Sequence, residues 1–207
     1  MFTTPVIVAF ITGVLGPILV MIVKNKLDQK KPKDMVCETL KVSELITNKI
    51  EVIKEHFEAD RVWITQFHNG GHFYPTGKSI KKFSIFYERT TDKAASVKDT
   101  FQNIPVSLFP KIFSLLYHSG EIAIPDTTNN TVDCGLFPVM GKDYNTKSFY
   151  LLEIEDLNGS FIGVLAISYY ENKHELSLDE WITVRQKIGA IGSILTDYLH
   201  DKKMKSN

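Results

Sequence analysis

Two histidines are the first residues in this sequence whose spacing could serve chemistry. His68 and His72 are four residues apart, a spacing that suits two metal ligands on one face of a helix. They flank Asn69-Gly70-Gly71, however, which is a turn signal, and no carboxylate lies near them in the chain. The sequence therefore predicts no metal site at these histidines.

The triplet Gly77-Lys78-Ser79 resembles the end of a phosphate-binding loop. That motif needs its first glycine at position 72, which is His72 here. A strand is also predicted after the triplet, where the motif needs a helix whose N-terminus faces the phosphates. We exclude a nucleotide-binding loop on both grounds.

The thiol of Cys134 could be combined with His68 and Asp126 into a nucleophile, a base and an orienting acid. Their spacing carries no information, and a cysteine beside a glycine is more typical of a buried thiol. Cys37 and Cys134 match no metal-binding spacing and should be free thiols in a reducing compartment. We predict no catalytic residue, no cofactor and no enzyme activity.

The overall charge argues against nucleic acid as a partner. The chain has 24 basic and 24 acidic side chains, so its net charge is zero. A nucleic-acid-binding domain would normally have a basic surplus or a basic stripe. The partners that we expect are membrane lipid and an unknown small molecule or protein.

The segment Pro5–Val23 is predicted to be a transmembrane helix. It has nineteen residues without a charge, and at ~1.5 Å per residue they cover about 28 Å, close to the hydrocarbon thickness of a bilayer. Gly13, Gly16 and Pro17 are ordinary in lipid. A cleavable signal peptide is disfavoured because residues 1–4 contain no basic side chain.

Basic residues after this span predict its orientation. Lys24 and Lys26 begin a run of five lysines that extends to Lys33, and the N-terminal side has none. The positive-inside rule then places the rest of the chain in the cytoplasm, on a single-pass anchor in the inner membrane. The predicted organisation is an anchor (1–24), a basic linker (25–37) and one domain (38–207).

An amphipathic helix is predicted for 38–57, with the stripe Val42, Ile46, Ile50, Ile53 and Phe57. Two arrangements would bury this stripe. It packs against the sheet of its own domain, which we prefer, or it pairs with a second copy as a short coiled coil. A homodimer could form through this helix or through the transmembrane helix.

The 61–89 region is predicted to be a hairpin whose first strand ends at Asn69-Gly70-Gly71. Alternation in the second strand puts Phe83, Ile85 and Tyr87 on one face. The aromatic residues Phe67, Tyr74, Phe83 and Tyr87 either line a ligand pocket or belong to the core. Tyr74, which lies in the loop, is the better ligand candidate.

The rest of the chain predicts a helix near 107–118, a short strand at 121–125 and a hairpin formed by 149–155 and 161–170. Ser177 and Glu180 form a capping box that opens a long C-terminal helix. Gly189 and Gly192 lie on a face of this helix where another element can approach closely. The predicted fold class is α/β of the α+β type, an antiparallel sheet flanked by helices.

This order of elements resembles GAF and PAS sensor domains. The sequence Phe67-His68-Asn69-Gly70-Gly71, followed a strand later by Lys82-Phe83 and Tyr87-Glu88, is similar to a group of bacterial and phage GAF-like proteins. The resemblance implies a pocket between the sheet and the loops. The candidate ligand-binding residues are Phe67, His68, Asn69, Tyr74, Tyr87 and Cys134, although His68 and Asn69 could serve only to stabilise the loop.

Two functions follow as hypotheses. The first is a membrane-anchored GAF-like sensory or ligand-binding module without catalytic output, because no kinase, cyclase or phosphodiesterase segment follows Leu199. The second is a lysis protein, because 151–199 resembles the globular domain of the holins of T-even phages. Under this second hypothesis, Gly13 and Gly16 would allow transmembrane helices to pack together. The four uncharged residues before the span and the cytoplasmic orientation depart from the holin pattern.

Overall fold

The computed structural model describes residues 11–28, 34–129, 132–133 and 144–203. The helices and strands in these ranges are α1 (Gly16–Asp28), α2 (Met35–His56), β1 (Arg61–His72), β2 (Ser79–Thr90), β3 (Ile104–Pro105), α3 (Pro110–Ser119), β4 (Glu121–Ile124), β5 (Ser148–Glu155), β6 (Phe161–Tyr169) and α4 (Leu178–Lys203). The chain divides into two compact units, Met1–Thr39 and Leu40–Asn207.

The first unit contains a π-helical turn, Ile11–Leu15, which leads into α1. Its apolar side chains from Val14 to Val23 are largely exposed to solvent. None of the helices within the described ranges is both long enough and apolar enough to cross a membrane. Residues 5–10 of the predicted span lie outside the described residues, so the anchor stays a prediction.

The second unit is built around a six-stranded sheet with the order β3-β2-β1-β6-β5-β4. Each pair of neighbouring strands is antiparallel. The hairpin β5–β6 turns at Asn158-Gly159, where Gly159 has a φ of 74° that glycine adopts without steric cost. The two sequence-predicted hairpins therefore form, and the antiparallel sheet is confirmed.

Helices α2 and α4 cover one face of this sheet. Ile46, Ile50, Ile53 and Phe57 are buried against β1, β5 and β6. The stripe of the first helix thus packs on the sheet of its own chain, as preferred from the sequence. Helix α4 contributes a second stripe, formed by Val184, Ile188, Ile191 and Leu195.

The start of α4 is held by the capping box that the sequence predicts. The backbone N–H of Ser177 donates to Glu180 Oε2 at 2.7 Å, and the backbone N–H of Glu180 donates to Ser177 Oγ at 3.3 Å. Farther along α4, a Cβ at Gly192 would lie 2.4 Å from the carbonyl oxygen of Glu155. Glycine at this position therefore sets how closely α4 approaches β5.

The opposite face of the sheet is covered by α3 and by the segment 91–103. Phe109, Ile112 and Leu116 from the α3 region and Val97 and Phe101 from the segment are buried there. Helix α3 starts at Pro110, whereas the sequence predicted a start near Ser107. Proline at the first helical position has no N–H to leave unpaired, and the preceding residues 106–108 form a short 3₁₀ turn.

The Asn69-Gly70-Gly71 signal does not end β1, contrary to the sequence prediction. Strand β1 continues to His72, which pairs with Ser79. An irregular register between Asn69 and His72 accommodates one extra residue, and Gly71 has a φ of 94° there. A β-bulge with a glycine at positive φ has the same local sequence as a tight turn, which explains the error.

Candidate functional site

A cavity lies between the sheet and its cover of α3 and segment 91–103. Its floor consists of side chains from β1, β2, β5 and β6, including Trp63, Phe83 and Val164. Ile112 and Leu116 of α3 lie opposite this floor. Successive strand residues point to opposite faces, so the odd-numbered residues of β1 from Arg61 to Thr65 all face this side. We call this space the cavity.

The cavity has a volume of about 70 Å³. An apolar cavity of about 150 Å³ holds one benzene molecule, so the cavity as it stands suits a guest of about half that size. The described residues that line it are mostly aliphatic and aromatic, and its polar groups come from Arg61, Thr65, Tyr144 and Thr146. It can enclose a small, largely apolar molecule.

Among the described residues that line this cavity, Arg61 is the charged one, and it is only 3% exposed. Its Nη1 donates to the carbonyl oxygen of Ala95 at 2.6 Å, and its Nη2 donates to Thr146 Oγ1 at 3.0 Å. The guanidinium carbon also lies 5.3 Å from the ring centroid of Trp63 and 5.9 Å from that of Tyr144. These contacts hold the guanidinium in one orientation.

Burial lowers the pKa of Arg61 from its ordinary value, since desolvation disfavours the charged form. Glu88 and Asp60 act in the opposite direction, at a distance. Among the described residues, no carboxylate oxygen lies within 4.0 Å of the guanidinium. Arg61 Nε is also buried and has no hydrogen-bond partner among the described residues.

A second bulge decides which residues of β2 face the cavity. Ile64 pairs with Tyr87 and Thr65 pairs with Ile85, so Phe86 is an extra residue without an opposite partner. The extra residue reverses the alternation of the strand beyond it. Glu88 therefore lies on the same face as Arg61.

Tyr87 is displaced from the cavity by the same bulge. It packs instead against the cluster under α2 and α4, and its hydroxyl is hydrogen-bonded to Ser43. Burial raises the pKa of Tyr87. The prediction that Phe83, Ile85 and Tyr87 share one face is therefore wrong. Strict alternation along a strand does not account for an inserted residue.

Phe67, His68 and Asn69 lie together at the end of β1, beside an open groove and not in the cavity. The ring of Phe67 contacts those of Phe113 and Phe161 at centroid distances of 5.3 and 4.9 Å. His68 Nε2 lies 2.9 Å from Ser84 Oγ. All three side chains thus have contacts inside the domain as well as access to the groove.

Asn69 is tied to the following strand. Its Oδ1 accepts hydrogen bonds from Lys81 Nζ at 2.7 Å and from Ser79 Oγ at 3.1 Å. These bonds fasten the bulged end of β1 to the start of β2. They agree with the interpretation that Asn69 stabilises the loop, and they leave its ligand-binding role a prediction.

Tyr74 and Cys134 complete the predicted ligand set, and Tyr74 does not line the cavity. Tyr74 is 99% exposed in the 73–78 loop, where it precedes a cis peptide bond to Pro75. Cys134 lies outside the described residues. Within the ranges that are described, no group of three or more His, Cys, Asp or Glu side chains could hold a metal ion.

From the sequence, Arg61 was identified only as the first residue of a strand, and no ligand-binding role was predicted for it. A signal was present, since Arg61 occupies the same alternate positions of the strand as the aromatic residues Trp63 and Phe67. A charged residue at an inward strand position normally has a compensating partner. This pattern would have been sufficient to single it out.

Solved structures similar to this chain include GAF domains. The blue-light absorbing form of the Thermosynechococcus elongatus PixJ GAF domain is 12% identical, with a TM-score of 0.62, and the match covers 81% of this chain and 91% of that chain. The phycocyanobilin-bound GAF domain from a cyanobacterial phytochrome is 16% identical, with a TM-score of 0.61 and coverages of 80% and 90%.

A GAF domain/HD domain protein from Geobacter sulfurreducens is 12% identical, with a TM-score of 0.57 and coverages of 76% and 94%. No protein-family model and no curated protein matches the sequence. Identities this low establish the fold alone. The chain therefore has a GAF-like fold, as the resemblance implied.

Proposed function

We propose that this protein is a membrane-anchored GAF-like sensory module that binds a small ligand in the cavity and has no catalytic output of its own. The observation that carries the proposal is a mostly apolar cavity whose described lining includes one fixed cation, Arg61. Ligand pockets combine an apolar lining with few polar groups that orient the guest. Signals would leave through α2, through dimerisation or through a protein partner.

The chemistry of the cavity favours binding over catalysis. Its described lining contains hydrocarbon groups, hydroxyls and one guanidinium, and among these residues there is no carboxylate, thiol or imidazole to act as base or nucleophile. Structures similar to this one include bilin-bound GAF domains. A linear tetrapyrrole does not fit the described residues, because a cavity of about 70 Å³ is far smaller than that molecule.

The anchor remains part of this proposal. Apolar side chains such as Leu19, Val20 and Met21 are each at least 65% exposed, and apolar surface of this kind is stable in lipid or against a partner. A second copy that meets α2 would contact its outer face, where Leu45 and Val52 are exposed. The holin-like alternative has no structural observation of its own in its favour and stays a prediction.

Ligand binding is tested by thermal-shift screening of the full-length chain in a mild detergent. A ligand at 100 times its Kd stabilises the folded state by about 2.7 kcal/mol. Ile112→Phe, which fills the cavity from α3, should abolish the stabilisation. Ile182→Phe makes the same change at a position of α4 that is 46% exposed, and should preserve it.

Two results would count against this function. A broad screen that stabilises neither the wild type nor Ile182→Phe would contradict small-molecule binding. Equal stabilisation of Ile112→Phe and the wild type would place the ligand outside the cavity. Either result would leave protein interaction as the better hypothesis.

Topology and lysis are tested separately. Alkaline phosphatase fused after Asn207 should be inactive if the domain is cytoplasmic, and activity would contradict the proposed orientation. Induced expression should leave the membrane potential intact. An abrupt loss of potential would favour the holin-like alternative.

A further inference from the structure

Arg61 has more hydrogen-bonding capacity than the described residues satisfy. A guanidinium has five N–H donors in a planar fork, and Ala95 and Thr146 each accept one of them. Nε is the donor nitrogen that is buried without a partner. A buried donor left unpaired is destabilising by about 1–3 kcal/mol, so the described residues leave this arginine incompletely satisfied.

The charge of Arg61 also lacks a direct counter-ion in the described part of the chain. Glu88 raises its pKa from a distance, but that carboxylate already accepts the backbone N–H groups of Val97 at 2.9 Å and Lys98 at 3.2 Å. Buried cations are normally paired with an anion that also satisfies their hydrogen bonds. The missing group is therefore an acceptor with negative charge.

Asp60, the other acid that raises the pKa of Arg61, is engaged as well. It accepts hydrogen bonds from the backbone N–H of Tyr170 at 2.7 Å and from Thr91 Oγ1 at 3.2 Å. Moving either acid to Arg61 would break bonds that hold the ends of β1 and β2. The domain thus has structural uses for both nearby carboxylates.

The shape of the cavity limits which anion can supply the acceptor. Phosphate or sulfate needs donors on several sides, whereas beyond Arg61 the cavity is walled mainly by residues such as Ile112, Phe83 and Val164. A carboxylate needs donors at one end only, and a short hydrocarbon tail suits these walls. A volume of about 70 Å³ admits a guest of about the size of acetate.

We propose that the cavity binds a short-chain monocarboxylate, with its carboxylate on Arg61 and its alkyl group between the sheet and α3. This inference rests on the proposed ligand-binding function and specifies its ligand class. The terminal N–H groups of Arg61 that Ala95 and Thr146 leave free donate to the carboxylate oxygens. The alkyl group contacts α3, which links occupancy of the cavity to the position of its cover.

The chain allows a direct test because it contains three arginines, Arg61, Arg89 and Arg185. Full-length protein labelled with ¹⁵N-arginine therefore has three Nε–H signals in its NMR spectrum. Arg89 lies 3.2 Å from Glu51 and Arg185 lies 2.6 Å from Glu121, both on the surface. Their signals are internal controls, and Arg61→Lys assigns the third signal by its loss.

Titration with sodium acetate should shift the Arg61 Nε–H signal saturably and leave the other two unchanged. Acetamide, which is neutral and similar in shape, should give no saturable shift, and sodium sulfate should give none beyond that of sodium chloride. Ile112→Phe should remove the acetate response while retaining the Arg61 signal. Ile182→Phe should respond like the wild type. Because both isoleucine variants keep Arg61, the test does not depend on whether Arg61→Lys folds.

Several outcomes would overturn the inference. Equal responses to acetate and acetamide, or a saturable response to sulfate, would exclude recognition of a short carboxylate. No response to acetate would refute the inference. It would leave the proposed function intact if the thermal-shift screen finds another ligand whose stabilisation Ile112→Phe abolishes. If that screen also finds none, the proposed function fails together with the inference.

Discussion

Gly189 and Gly192 lie three residues apart in α4, and substitution by alanine should have opposite effects at the two positions. A Cβ at Gly189 would meet no atom within 4 Å. A Cβ at Gly192 would lie 2.4 Å from the carbonyl oxygen of Glu155 and 3.6 Å from Ile154 Cγ2. The first change tests helix propensity alone, and the second tests propensity together with the contact between α4 and β5.

The expected magnitudes follow from these distances. Replacing glycine by alanine inside an exposed helix stabilises the folded state by about 1 kcal/mol, which is the effect predicted for Gly189→Ala. Overpacking a well-packed contact destabilises it by about 1–3 kcal/mol. Because the obstructing atom at Gly192 is a backbone oxygen that cannot rotate away, we take the upper end. When the gain of about 1 kcal/mol from helix propensity is subtracted, Gly192→Ala should be destabilised by about 2 kcal/mol.

Urea denaturation of the full-length chain, followed by tryptophan fluorescence, measures both variants against the wild type. Their free energies of unfolding should differ by about 3 kcal/mol in total. For a domain of this size, melting should shift about 3 °C upward for Gly189→Ala and about 6 °C downward for Gly192→Ala. Equal stabilisation of both variants would mean that α4 does not approach β5 as closely as described, and would refute the reasoning.

Gly163→Ala should be destabilised by about 2 kcal/mol in urea denaturation, because its Cβ would lie 2.4 Å from the carbonyl oxygen of Thr65; wild-type stability would contradict the close pairing of β1 and β6. Ser177→Ala should lower the unfolding free energy by about 1 kcal/mol through loss of the cap on α4, and a neutral result would exclude that role. Burial raises the pKa of Tyr150 to about 12, so its contribution to stability is complete below pH 10 and is lost as the pH rises from about 10 to 12. Tyr150→Phe should therefore be less stable at pH 7 but lose less stability over that range, and an unchanged pH profile would contradict the assignment.

Local patterns were sufficient to predict most elements of the GAF-like domain. The stripe from Ile46 to Phe57 predicted which face of α2 is buried, because a helix that covers a sheet must present apolar groups at intervals of three or four residues. The capping box at Ser177 and the turn at Asn158-Gly159 were equally readable, since each depends on neighbouring residues alone. The assignment of Pro5–Val23 as a membrane span also came from the sequence and stays a prediction.

Tertiary structure decided the site. The bulge at Phe86 arises from the pairing of β2 with β1, and it moves Tyr87 away from the cavity and Glu88 toward it. The burial of Arg61 depends on Ala95 and Thr146, which lie 34 and 85 residues farther along the chain. A periodic pattern along one strand records neither an inserted residue nor a distant partner. The elements were therefore predictable, whereas the residue that characterises the cavity emerged only from their packing.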